Sequence, residues 1–295
     1  MSMRVNRMSV TLVNITFFFT CLFLFRNGFS ALLFALLYSI IEKINAQELI
    51  ELIQVQHFTK KFGEKTVVRD ISFTARDGAI TGFIGHNGAG KSTTIKAITG
   101  VIRPTEGTIL INGVDIVKDP LNAKRQFGYV SDSPDHFLRL TGLEYLHFMA
   151  DIYDAPTDGR AEFIEGYAKR FGIYDALNSS ILSYSHGMRQ KIMIMGALIH
   201  DPSVWILDEP MTGLDPQSAF ELKQMMREHV EKGNSVFFST HVLEVAEKLC
   251  DEICIIKSGE LLYSGTLDDL KATHKSQASL ENIFLELTET KESEG

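Results

Sequence analysis

Apolar residues fall into two kinds of run along this chain. Residues 8–25 and 29–41 are almost continuously apolar, interrupted by Arg26, Asn27 and Gly28, whereas after residue 52 short apolar runs alternate with polar and helix-spaced stretches. Three of the short runs, residues 79–84 (AITGFI), 204–207 (VWIL) and 235–238 (SVFF), have the unbroken β-prone character of strands covered on both faces of a parallel sheet. Met188, Ile192, Met195 and Ile199 recur at helical spacing and read as one core-facing stripe, with Asp201-Pro202 ending that helix. Strands alternating with helices predict an α/β fold with a parallel sheet. Near the carboxyl end, a hairpin-like strand after Ser258-Gly259-Glu260 and a helix over residues 280–287 are expected, followed by a disordered tail over 289–295.

Composition narrows this picture. With 295 residues, 45% hydrophobic and 22% charged, and only 7 Pro among them, the chain has enough apolar surface for a large core and is neither disordered nor fibrous. Residues 1–47 hold four basic side chains (Arg4, Arg7, Arg26, Lys43) and a single acidic one (Glu42), so the remainder is more acidic than the net charge of −8 suggests. An acidic body argues against broad nucleic-acid binding. Cys21, Cys250 and Cys254 match no zinc spacing and are too few for a disulfide framework, so they read as reduced, buried thiols; a redox or metal role for the 250/254 pair is the alternative.

The apolar leader has three readings. Arg4 and Arg7 before an apolar run suit a signal peptide, but Ile44-Asn45-Ala46 is a poor cleavage site. A short membrane hairpin would place Arg4, Arg7 and Lys43 on one side, although each run is shorter than the roughly 20 residues that span a bilayer. The preferred reading is that residues 1–51 are not translated: Leu52 can be a UUG start codon, and Gln47-Glu48, encoded CAG-GAG, would supply a purine-rich ribosome-binding sequence upstream. The domain division on this reading is leader 1–51, folded domain 52–288, tail 289–295.

The strand at 79–84 runs directly into Gly85, His86, Asn87, Gly88, Ala89, Gly90, Lys91 and Ser92, a complete GxxxxGK[ST] pattern. Glycines let successive backbone N–H groups converge on phosphate oxygens, Lys91 adds a point charge and the Ser92 hydroxyl suits Mg²⁺. The following segment (STTIKAIT) reads as a helix closed by Gly100, which brings a positive helix end to the phosphates. Residues 204–207 end in Asp208-Glu209 and Pro210, at the carboxyl end of a buried strand, where α/β sheets place ligand-binding groups. Asp208 is expected to bind Mg²⁺ through water, and Glu209 to polarise an attacking water.

Between these elements lies Leu182-Ser183-Tyr184-Ser185-His186-Gly187-Met188-Arg189-Gln190-Lys191, which resembles the signature motif of ATP-binding cassette (ABC) proteins. Gly213-Leu214-Asp215 resembles their D-loop and Ser239-Thr240-His241 their switch histidine, in the same order and spacing over residues 53 to about 265. The resemblance implies a P-loop NTPase of ABC ATPase type: a parallel core sheet with flanking helices, an antiparallel β subdomain and a helical signature subdomain over about 132–195. It implies ATP and Mg²⁺ as ligands, with Thr93 beside the phosphate loop. Two cassettes would pack head to tail, Ser185, Gly187 and Asp215 of one serving the nucleotide of the other, in a homo- or heterodimer. Phe62, before Gly63, matches the adenine-stacking aromatic, although a lone Phe is more often core. Glu209, His241 and Lys91 would carry hydrolysis. Of the nine histidines only His241 is given a role of its own; His86 is a variable position of the phosphate loop, and His186 and His200 are expected to be solvated.

Departures from the family pattern are informative too. Where many members have glutamine, Gly128-Tyr129-Val130-Ser131 leads into Asp132, which either reaches Mg²⁺ through water or is a plain loop residue. Tyr184 and His186 in the signature, and residues 140–146 (LTGLEYL), resemble the ABC-2-type exporter cassettes. That implies the ATP-hydrolysing subunit of an exporter, peripheral on the cytoplasmic face of the membrane, with a separate permease docking on the helical subdomain and no nucleic-acid partner. The alternative is a soluble or self-anchored ABC ATPase acting without a permease.

Overall fold

The computed structural model describes residues 51–273 and 279–289. Residues 1–50, with Cys21 and the apolar leader, and residues 290–295 of the expected tail lie outside the described residues.

Among the described residues, ten strands form two sheets. β1 (Glu51–Phe62), β2 (Lys65–Arg76), β4 (Glu106–Ile111) and β5 (Val114–Asp115) make an antiparallel sheet in the order β2-β1-β4-β5. The second sheet runs β10-β9-β3-β8-β7-β6 and comprises β3 (Ile80–Ile84), β6 (Phe127–Val130), β7 (Val204–Leu207), β8 (Ser235–Thr240), β9 (Glu252–Lys257) and β10 (Glu260–Thr266). Its inner strands pair in parallel, and only the β9–β10 hairpin is antiparallel. Every residue of β3, β7 and β8 is buried, as their unbroken apolar runs require of strands covered on both faces.

Among the described residues, nine helices connect and flank the strands: α1 (Lys91–Ile98), α2 (Pro120–Lys124), α3 (Gly142–Ile152), α4 (Arg160–Arg170), α5 (His186–Leu198), α6 (Pro216–Glu231), α7 (Leu243–Leu249), α8 (Leu267–Thr273) and α9 (Leu280–Glu289). The stretch expected to be helical from residue 132 contains α3, α4, two short 3₁₀ turns and most of α5. α3 starts with a full capping box, in which Thr141 Oγ1 accepts from Glu144 N and the Glu144 carboxylate accepts from Thr141 N.

The strand period of two sends alternate residues of the parallel sheet into two cores. Phe83, Ile206 and Phe237 join the antiparallel sheet and α1, while Ile84, Leu207 and Phe238 join the helices of the other layer. Phe73 of β2 stacks on Phe83 and Phe237, with ring centroids 5.4 and 5.7 Å apart, and so ties the two sheets together. On the other side, Ile192 and Met195 are completely buried in the helical core. β6 and α5 approach so closely that a Cβ on Gly128 would lie 1.9 Å from the Ala197 carbonyl oxygen, a contact only glycine permits.

One expectation fails here. His200 is not solvated: its ring lies flat on Tyr153, centroids 3.8 Å apart, and burial lowers its pKa to about 4. His186 is exposed, as expected. Cys250 and Cys254 are free and buried, and burial pushes the Cys254 thiol up to about 12.

Candidate active site

β3 delivers the phosphate loop to the carboxyl edge of the parallel sheet. Gly85 lies so close to β9 that a Cβ would meet the Ile256 carbonyl oxygen at 2.4 Å, and Gly88 and Gly90 take φ of +80° and +112°. Gly90 precedes α1 without a side-chain cap, so the first N–H groups of that helix are left for an anion. Lys91 is buried; its Nζ donates to the carbonyls of Gly85 (2.7 Å) and His86 (3.3 Å) and stands 3.3 Å from Glu209 Oε1.

β7 ends at the same edge. Asp208 has no solvent exposure, and its pKa is raised, chiefly by burial, with hydrogen bonds from Ser239 and Ser92 opposing and the charges of Asp132 and Glu209 adding to the rise. Ser239 Oγ donates to Asp208 Oδ1 at 2.6 Å, while Oδ2 is buried with no hydrogen-bond partner. Such an orphaned carboxylate oxygen beside the Ser92 hydroxyl fits a divalent cation. Asp132 is exposed and accepts from Ser131 Oγ at 3.1 Å, near enough to Asp208 to act on it through charge.

Glu209 follows in left-handed backbone, φ +49°, which swings its side chain back toward the loop. Its N–H donates to Ser239 Oγ at 2.9 Å, and its Oε2 accepts from His241 Nδ1 at 2.9 Å. Lys91, Ser92, Asp208, Glu209 and His241 are therefore brought together. Ser239 is the residue that the sequence reading left without a role: one hydroxyl fixes both acidic residues. Its signal was the polar position two residues before His241, facing the adjacent strand end.

Other expected residues lie apart from this group. Phe62 is 51% exposed at the end of β1, with Lys60 Nζ 4.8 Å from its ring centre. Ser185 is the exposed N-cap of α5, accepting from Met188 N at 3.3 Å. A Cβ on Gly187 would meet the Gly213 carbonyl oxygen at 2.8 Å, so the signature turn rests on the D-loop. Asp215 caps α6 through Ser218 and pairs with Lys191 at 3.1 Å; the Ser218 hydroxyl, then its N–H, then Lys191 hold its carboxyl well below the usual range. Among the described residues no hydrogen bond or ion pair links Ser185, Gly187 or Asp215 to the phosphate loop.

A loop of backbone donors with a buried ammonium, facing a carboxylate held by a histidine, can bind a polyphosphate and deprotonate a water aimed at its terminal phosphorus. Comparison with known proteins agrees. A family model described as ABC transporter matches residues 68–212. The ABC-type transporter ATP-binding protein EcsA of Bacillus subtilis is 36% identical over 240 residues, 81% of this chain and 97% of that one. The linearmycin resistance ATP-binding protein LnrL of the same organism is 36% identical over 220 residues, 74% of this chain and 70% of that one. A solved structure described as the ATP binding subunit of an ABC transporter is similar with a TM-score of 0.77 at 35% identity, covering 80% of this chain and 99% of that chain.

Proposed function

The chain belongs to the ABC transporter family as an ATP-binding, ATP-hydrolysing subunit, and from that premise we propose that it drives an ABC-2-type exporter, peripherally from the cytoplasmic face of the membrane. The observation that carries the catalytic part is the Glu209 carboxylate, shared between Lys91 and His241 at the mouth of the phosphate loop.

The loop N–H groups from His86 to Ser92 and Thr93 bind the β- and γ-phosphates, and Phe62 offers its exposed ring to adenine. Lys91 gives its charge to the phosphates and releases Glu209 Oε1. That oxygen takes the proton of the attacking water while His241 holds Oε2 in place; the new bond forms at the γ-phosphorus as its bond to the ADP oxygen breaks. Ser92 and Asp208, with Asp132 through water, would hold Mg²⁺, which when bound neutralises charge between the β- and γ-phosphates. Ser185, Gly187 and Asp215 form a cluster unconnected to their own chain's loop, which supports their acting on the nucleotide of a second cassette in a head-to-tail pair.

Support for the exporter comes from the Tyr184 and His186 variants of the signature and from the linearmycin resistance relative. A cavity of about 290 Å³ lined by Tyr129, Phe137, Tyr145 and Met149, next to exposed Phe148 and Ile152, offers a permease helix a concave apolar seat. Among the described residues no helix is long and apolar enough to cross a membrane. Glu209→Gln tests the reading: the variant retains ATP binding, pairs with a second copy when ATP is added, and loses at least about a hundredfold in kcat. Phosphate release and size-exclusion chromatography read these effects, and near-normal turnover strikes Glu209 from its role.

A further inference from the structure

α9 lies far from the phosphate loop in sequence, yet it touches it. Leu280 and Ile283 are completely buried and Phe284 almost so, in the core that α9 shares with α7. α7 is the helix that begins two residues after His241. At its far end α9 is held by Lys257 of β9, whose Nζ donates to the Thr288 carbonyl. From this anchored helix the Phe284 ring meets the His86 ring edge to face, with centroids 5.0 Å apart and planes at 71°. His86 is the second residue of the phosphate loop, and its carbonyl accepts from both Lys91 Nζ and Ala89 N. Its side chain is otherwise exposed, and at Gly88 an added Cβ would find open space, so among the described residues this stretch of loop has little else to rest on.

We propose that Phe284 is a positioning residue for the phosphate loop, acting through His86, so that the carboxyl-terminal helix sets how firmly the loop holds ATP. The two rings fix the direction of the His86 carbonyl, and that carbonyl helps fix Lys91. Because α9 also packs on α7, the same helix braces the two sides of the site, the loop and the segment after His241. This inference rests on ATP turnover at the loop.

The test uses the full 295-residue chain and four variants: Phe284→Ala, Phe284→Tyr, His86→Ala and the double variant with both alanines. KM for ATP and kcat are measured alongside thermal unfolding. An edge-to-face pair supports a change of about three- to tenfold. Phe284→Ala and His86→Ala are each expected to raise KM by that much with kcat little altered, and the double variant to be no worse than the worse single one. Phe284→Tyr keeps the ring and restores the wild-type KM. If Phe284→Ala fails to fold, Phe284→Leu keeps apolar volume without the ring and is read in the same way. A wild-type KM in the ringless variants, or KM changes that multiply in the double variant, would overturn the proposal, since a purely structural Phe284 lowers the unfolding temperature independently of His86. Absence of turnover in the wild-type chain would overturn the ATPase reading and this inference with it; multiplying changes overturn this inference alone.

Discussion

His229 lies against Trp205, ring centroids 5.7 Å apart, with Nε2 buried and without a hydrogen-bond partner, and His200 lies flat on Tyr153. Burial lowers both pKa values to about 4; the Asp201 charge opposes the shift at each, and Lys232 adds to it at His229. The folded state thus keeps both rings neutral at pH values where the unfolded chain, titrating near 6.5, takes up protons. Their contribution is intact above about pH 6.5 and is lost as pH falls toward 4, by up to about 1.4 kcal/mol per pH unit for each ring. Urea unfolding across that window should show the slope, and His200→Phe or His229→Gln should flatten it; equal stability at pH 5 and 7 would contradict the assignment. Residue-level placement was legible where spacing itself encodes geometry, as in the GxxxxGK[ST] loop and the Asp208-Glu209 strand end. It was not legible for His200, because the Tyr153 ring that covers it comes from beyond the end of α3, and no local pattern reports such a contact.

Elements were readable in proportion to how evenly they are buried. β3, β7 and β8 are apolar throughout because both faces are covered, and the α5 stripe has a clean helical period. β1 and β2 are each twelve residues long but were hidden, since one face is open and left-handed backbone at His57 (φ 52°) and Asp70 (φ 45°) breaks the alternation. β6 and α5 meet at a close joint that depends on Gly128. Gly128→Ala should force these apart at a cost of about 1–3 kcal/mol or more, seen as a lower urea midpoint with an unchanged slope. Unaltered stability would mean that α5 slides without penalty. α5 also carries Arg189, whose guanidinium reaches Asp135 at 2.5 Å and the Leu182 carbonyl at 2.9 Å and so ties the signature turn to the segment after β6.

At the scale of the whole molecule, Lys91, Ser92, Asp208, Glu209 and His241 gather at one sheet edge, while among the described residues no hydrogen bond or ion pair links Ser185, Gly187 or Asp215 to the phosphate loop. Pairing of cassettes and docking on a permease are the proposed resolutions. Isolation of the native protein from solubilised membranes, followed by mass spectrometry, should recover a multi-span protein in comparable amount. A preparation carrying no such protein would favour a permease-free ATPase. A different consequence follows from the backbone of Glu209. Left-handed φ at a glutamate costs on the order of 1 kcal/mol, and glycine or asparagine would relieve it. Glycine or asparagine at position 209 should therefore raise the unfolding temperature while removing the carboxylate that lies between Lys91 and His241, so that endurance on heating and the make-up of the site pull this position in opposite directions.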